Sequence, residues 1–402
     1  MAVLKFQDAR ATVLKRVRAG AVGLDREPLP LLQSQGRVLA EPVYADRDFP
    51  PFRRSTRDGY AVRSADLARL PVWLQLRGQI KAGGELTGTV GEMECVEIMT
   101  GAAVPEGADA VVMVEHTRLQ NGLVEPGRSV SPGENVVPQA SEAKQGDLLL
   151  SAGLRMGYAE TAMAAAVGAE TVTVYQKPRV AILPTGDEVV ELGVSPGPFQ
   201  IRNSNSYSLQ VQVTAAHCIP VTLGIAPDQE GPLRKMIEEG LQADLLVLSG
   251  GVSMGKFDLV EKVLAELGAE VYFDGVAMQP GKPLVFGRAQ GAFFFGLPGN
   301  PLSTMVTFEL FVRPALALLS GEPSAPLVFL QARLERDLRR KPGLAAFLPA
   351  MLHGSTYEPV VSPVAWKGSG DMASLIRSNC YLSVPENVEE IPAGEWVSVL
   401  PR

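Results

Sequence analysis

The most informative stretch of the sequence is Ala243-Asp244-Leu245-Leu246-Val247-Leu248-Ser249-Gly250-Gly251-Val252-Ser253-Met254-Gly255. Its apolar part, Leu245 to Leu248, has the length and composition of a buried parallel strand. The glycines and serines that follow let the backbone approach a ligand closely and present N–H and hydroxyl donors to it. Apolar residues then recur at helical spacing from Val260 to Leu267. The stretch therefore predicts a strand, an anion-binding loop and a helix.

The loop by itself is equally consistent with a tight structural connection between a strand and a helix. It is not a Walker A loop, because no Gly-Lys-Ser/Thr follows at the required spacing. It also contains no Gly-x-Gly-x-x-Gly fingerprint. The choice between a ligand-binding loop and a plain turn therefore depends on the neighbouring segments.

Length and composition predict a multidomain globular protein. A chain of 402 residues exceeds one ordinary core, and 46% hydrophobic with 20% charged residues is typical of a soluble protein. The net charge of −7 argues against nonspecific binding of nucleic acid, which requires a basic surface. Any anionic ligand would therefore have to be held by a local group of donors.

The sequence predicts a cytoplasmic protein without a membrane partner. We find no apolar run of about 18 residues, and residues 1–20 form a charged amphipathic pattern rather than a signal peptide. Cys95, Cys218 and Cys380 are far apart in the sequence, so they suggest neither a disulfide framework nor a thiolate zinc site. The three histidines are equally scattered, which disfavours histidine-based metal or triad chemistry.

Hydrophobic periodicity and turn signals divide the chain into four predicted domains. Residues 1–43 and 140–176 form a mixed N-terminal domain, and short β-rich runs predict an inserted β domain at residues 44–139. Alternating strands and helices predict a doubly wound, parallel α/β domain at residues 177–325. Residues 326–402 are again β-rich and predict a C-terminal β domain.

Helices are expected at several places outside the central α/β repeat. Apolar spacing predicts an N-terminal helix around residues 6–17, a second short helix at residues 31–39 and a third at residues 158–168. A long helix should begin at Pro301, a residue suited to the first helical position. Pro314 should bend or interrupt that helix.

Three further loops follow predicted strands of the α/β domain, at residues 184–188, 226–228 and 296–301. Because the carboxyl ends of parallel strands share one edge, these loops and the Ser249 loop should lie on one rim. Each loop alone is also consistent with a helix cap or a rigid turn. The acidic side chains of this region are Asp187, Glu188, Asp228 and Asp258. They would repel a phosphate unless a hard cation lay between them, which predicts Mg²⁺.

Two more motifs carry charge that a ligand could use. Gln279-Pro280-Gly281-Lys282-Pro283 places a lysine on a proline-stiffened turn, where it suits a tetrahedral oxyanion. The alternative is a solvated lysine in an ordinary turn. Residues 50–60 combine two prolines, a basic cluster and an Asp-Gly turn, although such clusters are usually solvated surface.

Seven motifs occur in a fixed order along nearly the whole chain. They are Ser55-Thr56-Arg57-Asp58-Gly59-Tyr60-Ala61-Val62, Ile98-Met99-Thr100-Gly101, Pro184-Thr185-Gly186-Asp187-Glu188, Ser249-Gly250-Gly251-Val252-Ser253, Pro280-Gly281-Lys282-Pro283, Leu297-Pro298-Gly299-Asn300-Pro301, and Gly368-Ser369-Gly370 before Asn379. In this order they resemble the molybdopterin molybdenumtransferase family, which includes the bacterial molybdenum-insertion enzyme and the C-terminal part of gephyrin. Together the motifs are highly specific, whereas each alone is modest.

The resemblance implies a biosynthetic enzyme of the molybdenum cofactor. Its expected reaction inserts molybdate into adenylylated molybdopterin with Mg²⁺, cleaves the adenylate phosphoanhydride and releases AMP. It further implies an elongated homodimer, dimerised through the N-terminal domain, with the cleft formed by the α/β domain of one subunit and the small β domain of the other. Molybdopterin adenylyltransferase and downstream molybdoenzymes are the expected protein partners.

The same resemblance assigns roles to individual residues. Asp58 would act across the dimer, Glu188 and Asp258 would hold Mg²⁺, and Lys282 with Ser303 would help to bind molybdate. The implied catalytic set is Asp58, Asp187, Glu188, Asp228, Asp258 and Lys282. The implied substrate-binding set is Thr100, Thr185, Gly186, Ser249, Gly250, Gly251, Ser253, Pro298, Gly299, Asn300, Ser303 and Ser369.

The chain departs from the family pattern at several positions. Gln279 occupies a position often filled by lysine, which leaves one cation where many relatives have two. Ser141-Glu142-Ala143 replaces the usual Gly-Glu-Asp and removes a carboxylate. Leu344 and Pro349 stand where basic residues are common, so the part that the C-terminal domain plays in molybdate binding is in question.

Two other functions remain open from the sequence. A non-catalytic molybdopterin-binding or scaffold protein could keep the same loops, although retention of Asp58, Glu188, Asp258 and Lys282 favours an enzyme. An unrelated Mg²⁺-dependent phosphoryl transferase could also use them, and it would turn over a nucleoside triphosphate. The order of the motifs outside the α/β domain argues against the second alternative.

Overall fold

The computed structural model describes residues 3–21, 23–84, 88–251, 259–324 and 326–402. The chain forms two compact units. The first contains Met1–Ala40, Gly153–Gly157 and Val172–Arg402, and the second contains Glu41–Ala152 and Tyr158–Thr171. The second unit is thus inserted between segments of the first.

The first unit contains a six-stranded sheet. Its strands, in spatial order, are Ile219–Thr222, Arg179–Pro184, Leu245–Ser249, Ala292–Leu297, Val285–Ala289 and Glu270–Phe273. The first four are mutually parallel, as the sequence predicts, whereas the last two pair antiparallel. Only Gln290 and Gly291 connect Val285–Ala289 to its neighbour, and both have positive φ. So short a connection makes a hairpin, because a parallel crossover needs about a dozen residues.

Helices cover both faces of this sheet. They are Asn205–Ala215, Glu230–Gly240, Leu259–Glu266 and the helical segment that begins at Pro301. Leu245 and Val247 pack into one buried cluster, whereas Leu246 and Leu248 pack into another on the opposite face. This two-sided burial explains why the strand is continuously apolar instead of alternating.

The segment Pro301–Leu319 is the longest helical stretch of the first unit. It runs as an α-helix over Pro301–Thr307, a π-helical turn over Phe308–Val312 and an α-helix over Arg313–Leu319. The irregular turn precedes Pro314, which has no N–H to donate, as expected for an interrupting proline. The segment has 19 residues, and its most apolar window has a mean hydropathy of 1.5, so it could span a membrane by length and composition, which the sequence did not lead us to expect. However, 78% of its most apolar window is buried inside the protein, as in a core helix.

A seven-stranded sheet occupies the C-terminal part of the first unit. Its strands, in spatial order, are Leu4–Lys5, Val276–Gln279, Ala345–Gly354, Pro359–Pro363, Leu330–Leu334, Trp396–Pro401 and Cys380–Val384, with a further pairing between Ala345–Gly354 and Cys380–Val384. The first two strands come from outside the C-terminal segment. They join it through parallel pairing, in which Met278 lies opposite Ala345 and Gln279 opposite Ala346.

The N-terminal region contains one of the two expected helices. Helix Phe6–Gly20 buries one apolar face, as predicted. The prediction of a helix at residues 31–39 is wrong, because only a 3-10 turn forms, at Leu31–Ser34. The chain is extended after it, and Val38 and Leu39 form β-bridges with distant residues. Gly36 lies between them with a φ of +73°, a left-handed conformation that ends a right-handed helix.

The second unit is built on a six-stranded sheet. Its strands, in spatial order, are Ala110–Met113, Gly59–Val62, Glu94–Ile98, Leu74–Ile80, Leu123–Pro126 and Thr117–Gln120. Helix Tyr158–Ala166 belongs to the same unit.

The short elements not yet named are distributed over both units. They are the strand pairs Val43–Tyr44 with Leu148–Leu150, Arg54–Ser55 with Val136–Val137, Arg26–Pro30 with Thr171–Tyr175, Val189–Val190 with Ile201–Arg202 and Leu338–Arg339 with Glu390–Ile391, the 3-10 turns Ser64–Leu67 and Val114–His116, and helix Met372–Ile376.

Replacing Phe286 by alanine should destabilise the first unit by about 3–5 kcal/mol, the usual cost of a large aromatic cavity. The ring is fully buried and lies 4.7 Å from that of Phe295, centroid to centroid. Equilibrium unfolding in urea would measure the loss. Val211→Ala is the control, because Val211 is 69% exposed and its truncation should change stability by less than about 0.5 kcal/mol. Equal unfolding midpoints for the two variants would contradict this assignment of the core.

Candidate active site

The four loops expected on one rim lie side by side in the structure. The Thr185 N–H donates to Ser249 O at 3.0 Å, and the Gly186 N–H donates to Ala226 O at 3.3 Å. On the other side, the Gly250 N–H donates to Leu297 O at 3.2 Å. Each loop is therefore tied to the next by a backbone hydrogen bond, in the order of the parallel strands that precede them.

Two consecutive glycines shape the centre of this rim. Gly250 and Gly251 have φ values of +89° and +60°, which favour glycine. A Cβ on Gly250 would lie 2.9 Å from Thr185 O, and one on Gly251 would lie 2.5 Å from Thr185 Oγ1. The close approach to Thr185 thus requires both glycines. Two predicted site residues that follow them in the sequence, Ser253 and Asp258, lie outside the residues that the structure describes.

A small cavity of about 60 Å³ opens beside Gly250. Thr185 and Asn205 line it, and each has a buried polar atom, Thr185 Oγ1 and Asn205 Oδ1, that finds no hydrogen-bond partner among the described residues. Ser249, which is 3% exposed, and Gly250 complete this part of the wall. Because buried polar groups are normally hydrogen-bonded, two unpaired atoms in one cavity indicate a place for ligand groups.

Asn205 is a site residue that the sequence reasoning missed. Its Nδ2 donates to Ser249 Oγ at 2.8 Å and to Gly299 O at 2.9 Å, so one amide holds two of the rim loops. It lies at the start of helix Asn205–Ala215, where Asn203 Oδ1 also accepts from the Ser206 N–H at 3.1 Å. The run Asn203-Ser204-Asn205-Ser206 is a helix-start signal, but nothing in it distinguishes a cap from a ligand group.

The described carboxylates of the rim are solvent-exposed. Asp187 Oδ1 accepts the backbone N–H of Asp228 at 3.0 Å, which gives Asp187 a structural contact between two loops. Glu188 folds back over Gly186, where a Cβ would lie 2.5 Å from Glu188 Oε2. Within the described ranges, no three His, Cys, Asp or Glu side chains form a group that could hold a metal ion. The donors present are carboxylate oxygens, which fit Mg²⁺ where one or two carboxylates and substrate phosphates complete its shell.

A second cavity, of about 790 Å³, lies on the other side of the loop that contains Asn300. Lys282 and Ser303 line it, together with Ser369 from the C-terminal segment. Asn300 Nδ2 donates to Ser369 Oγ at 2.8 Å, and the Leu302 N–H donates to Ser369 O at 3.0 Å. These bonds fix the C-terminal wall of the cavity against the α/β part of the same unit.

Asp58 and Thr100 form a separate group in the second unit. The backbone N–H and the hydroxyl of Thr100 both donate to Asp58 Oδ1, at 2.6 and 2.8 Å. These hydrogen bonds, the backbone one foremost, lower the pKa of the exposed Asp58 carboxyl from its ordinary value. The adjacent Gly59 has no room for a side chain, because a Cβ would lie 1.9 Å from Val112 O. The structure thus brings these two predicted residues together.

Comparison with protein families identifies the parts of the chain. Residues 4–168 match the MoeA N-terminal region (domain I and II), residues 181–318 match a probable molybdopterin binding domain, and residues 331–401 match the MoeA C-terminal region (domain IV). The chain is therefore a multidomain protein of the molybdopterin-binding class. The rim and both cavities use residues of the matched central domain, and the larger cavity also uses residues of the matched C-terminal region.

Whole-chain relatives narrow the assignment. A molybdopterin molybdenumtransferase of Haemophilus influenzae is 32% identical over 99% of this chain and 98% of its own, and one of Bacillus subtilis is 34% identical over 94% and 90%. Two crystal structures of molybdopterin biosynthesis MoeA protein from Pyrococcus horikoshii align with TM-scores of 0.77 and 0.85, at 34% and 28% identity, and cover the whole chain and at least 99% of their own. The chain belongs to the molybdopterin molybdenumtransferase family and is thus an enzyme of molybdenum cofactor biosynthesis. The predicted family and fold class are confirmed.

Removing the Thr100 hydroxyl should raise the pKa of Asp58 in the folded protein. Both hydrogen bonds favour the ionised carboxylate and lower its pKa, so Thr100→Val should move the pKa upward, but not fully to the ordinary value of an aspartate, because the backbone donor remains. The Asp58–Thr100 contact should accordingly be lost as the pH falls through the lowered pKa. Carboxyl carbon chemical shifts against pH would measure this. Thr117→Val removes a hydroxyl that donates to Val114 O and should leave the midpoint unchanged.

Asn205→Ala should weaken molybdopterin binding about tenfold or more, because two rim loops lose their shared donor and a buried hydroxyl loses its partner. Asn205→Asp keeps the shape but removes both N–H donors, so it should also bind weakly. Titration of molybdopterin fluorescence against protein concentration provides the measurement. Thr214→Ala, on the exposed side of the same helix, is the control. Wild-type affinity in both Asn205 variants would exclude the loop-holding role.

Proposed function

We propose that this enzyme inserts molybdate into adenylylated molybdopterin in a Mg²⁺-supported reaction that cleaves the adenylate phosphoanhydride and releases AMP. The observation that supports it best is the position of the loop at residues 298–301 between two cavities. Gly299 and Pro301 line the small cavity, whereas Pro298 and Asn300 line the large one. A ligand that reaches from one to the other could present its phosphates at the glycine rim and its reacting sulfurs at the lysine.

The small cavity supplies neutral hydrogen-bonding groups. Ser249, Gly250 and Thr185 offer hydroxyl and backbone groups at the carboxyl edge of the sheet, where anions and nucleotide-like ligands bind in α/β folds. The buried Asn205 Oδ1 adds a hydrogen-bond acceptor to this wall. We assign the phosphate of the pterin to this side, because a cavity of about 60 Å³ is too small for the pterin rings.

The large cavity supplies the positive charge. Lys282 lies on the turn after strand Val276–Gln279, and Ser303, which is 3% exposed, lines the same cavity. An ammonium and hydroxyl groups fixed around one space suit a tetrahedral dianion such as molybdate. The contribution of these residues is to hold the oxyanion near the dithiolene and neutralise its charge, with little covalent chemistry by the protein.

Carboxylates of the rim would hold Mg²⁺. Glu188 and Asp258 are the proposed ligands, and Asp187 and Asp228 shape the local charge. Asp187, Glu188 and Asp228 are exposed, so a hydrated ion can reach them. When bound, the ion would neutralise phosphate charge as the phosphoanhydride breaks. Without it, the same carboxylates would repel the phosphates of the substrate.

We further propose that the enzyme works as a homodimer in the cytoplasm. Asp58 belongs to a different unit from the rim, and its carboxyl group is exposed, as an acidic group acting in the cleft of a second copy would need to be. Cys95, Cys218 and Cys380 are buried free thiols, which suits a reducing compartment. Molybdopterin adenylyltransferase would supply the substrate and molybdoenzymes would receive the product.

Lys282→Ala should lower molybdate-dependent AMP release about tenfold or more, because hydrogen bonds to a charged group contribute about 1.5–3 kcal/mol. The assay mixes purified protein with adenylylated molybdopterin, molybdate and Mg²⁺, and follows AMP together with reconstitution of an apo-molybdoenzyme. Lys235→Ala, an exposed lysine on helix Glu230–Gly240, is the matched control and should keep wild-type activity.

Three outcomes separate the alternatives. Wild-type protein that binds molybdopterin but releases no AMP would be a scaffold, whereas turnover of a nucleoside triphosphate would indicate general phosphoryl transfer. AMP release that persists after chelation of divalent cations would remove Mg²⁺ from the proposal. Unchanged activity of Lys282→Ala would remove that lysine from the site.

A further inference from the structure

The large cavity receives a second lysine from the C-terminal part of the chain. Lys341 lines it together with Lys282, although the two residues are 59 positions apart in the sequence. Ser303, Asn300 and Ser369 add hydroxyl and amide groups, and the described lining contains no aspartate or glutamate. In a chain of net charge −7, a cavity with two ammonium groups and no carboxylate selects anions.

Parallel strand pairing joins the segment that carries Lys341 to the strand that precedes Lys282. Val276–Gln279, which precedes the Lys282 turn, pairs in parallel with Ala345–Gly354, which follows the Lys341 loop. The register sets Met278 opposite Ala345, so the turn and the loop flank the same strand pair. The pairing holds these two segments side by side, and residues of both line the cavity.

The loop that carries Lys341 is anchored by its neighbours. Arg340 Nη2 donates to Leu344 O at 2.5 Å, the Arg340 N–H donates to Glu389 O at 2.9 Å, and the Gly343 N–H donates to Glu386 O at 2.7 Å. These bonds hold the backbone on both sides of Lys341. Its own ammonium forms no ion pair with any residue in the described ranges, and the same is true of Lys282. Both charges are thus available to a ligand.

Lys341 matters because two other positions in the same cavity are uncharged. Gln279 and Leu344 both line the cavity, and both stand where the resemblance described above leads us to expect a basic residue. With Lys282 alone, a dianion in the cavity would be only half neutralised. The side chain of Trp366 also lines the space, and an apolar surface strengthens the attraction between the remaining charges.

We propose that Lys341 is the second cation of the oxyanion site and replaces the charge that Gln279 and Leu344 lack. The inference rests on the proposed function, because it takes the dianion to be molybdate or its close analogue tungstate. Lys341 binds the oxyanion together with Lys282 and has no part in breaking the phosphoanhydride. Its charge therefore contributes to affinity and not to the rate at saturation.

The test compares variants in the AMP-release assay with molybdate varied. Lys341→Ala should raise the KM for molybdate about five- to tenfold and leave kcat unchanged, whereas Lys341→Arg should stay close to wild type. Lys367→Ala is the matched control, because Lys367 is an exposed lysine of the C-terminal segment that does not line the cavity, and its KM should not change. Loss of the Lys341→Ala effect in high salt would also support a charge interaction.

A rescue experiment keeps the proposal testable even if one variant is impaired. Gln279→Lys in the Lys341→Ala background returns a cation to the same cavity and should restore most of the molybdate affinity. A wild-type KM in Lys341→Ala, a fall in kcat without a change in KM, or no rescue by Gln279→Lys would overturn the inference.

Direct binding separates this inference from the proposed function. Equilibrium dialysis of tungstate against the purified full chain needs no turnover. If the wild type releases no AMP but binds tungstate more tightly than Lys341→Ala does, the proposed reaction fails and the second-cation role stands. If AMP is released and tungstate affinity is equal in both proteins, the reaction stands and the role of Lys341 fails. Absence of tungstate binding to the wild type would overturn the second-cation role, whereas AMP release would still decide the proposed reaction.

Discussion

The parallel alignment of Arg179–Pro184, Leu245–Ser249 and Ala292–Leu297 is the constraint on which the rest of the site depends. Parallel strands end at the same edge, so loops that are far apart in sequence become neighbours there. The alignment is stable because Leu245–Ser249 is buried on both faces, and its apolar side chains separate two cores. The loops can then be tied by single backbone hydrogen bonds, and the two glycines after Ser249 allow the closest approach to Thr185.

Electrostatics divides the site into regions of different character. The rim has exposed carboxylates and neutral donors, whereas the large cavity has ammonium groups and no carboxylate among its described lining. Such a division suits the substrate proposed above, with phosphates at one end and an oxyanion as its reaction partner at the other. The enzyme as a whole is acidic, so the selection of anions is entirely local.

Much of the fold was predictable, because a clear pattern of apolar residues fits only one kind of secondary structure. The apolar run at Leu245, the amphipathic N-terminal helix and the interruption before Pro314 all follow from spacing and from the chemistry of proline. The antiparallel strands at one edge of the sheet could not be predicted, because strand direction depends on the length of the connection and not on the pattern of side chains. Residues 31–39 do not form the predicted helix, because the β-bridges that Val38 and Leu39 make to distant segments outweigh a weak local helix propensity.

The sequence by itself determined the family, the order of the motifs and the residue types of the rim, because each motif is a run of consecutive residues. Only the tertiary structure decided which side chains share a cavity. Asn205 looks like a helix-start residue until its hydrogen bonds to Ser249 and Gly299 are seen. Lys341 looks like a surface lysine until the structure shows that it lines the same cavity as Lys282. The physical reason is that hydrogen bonds and charges act over a few ångströms in space, whatever the separation along the chain.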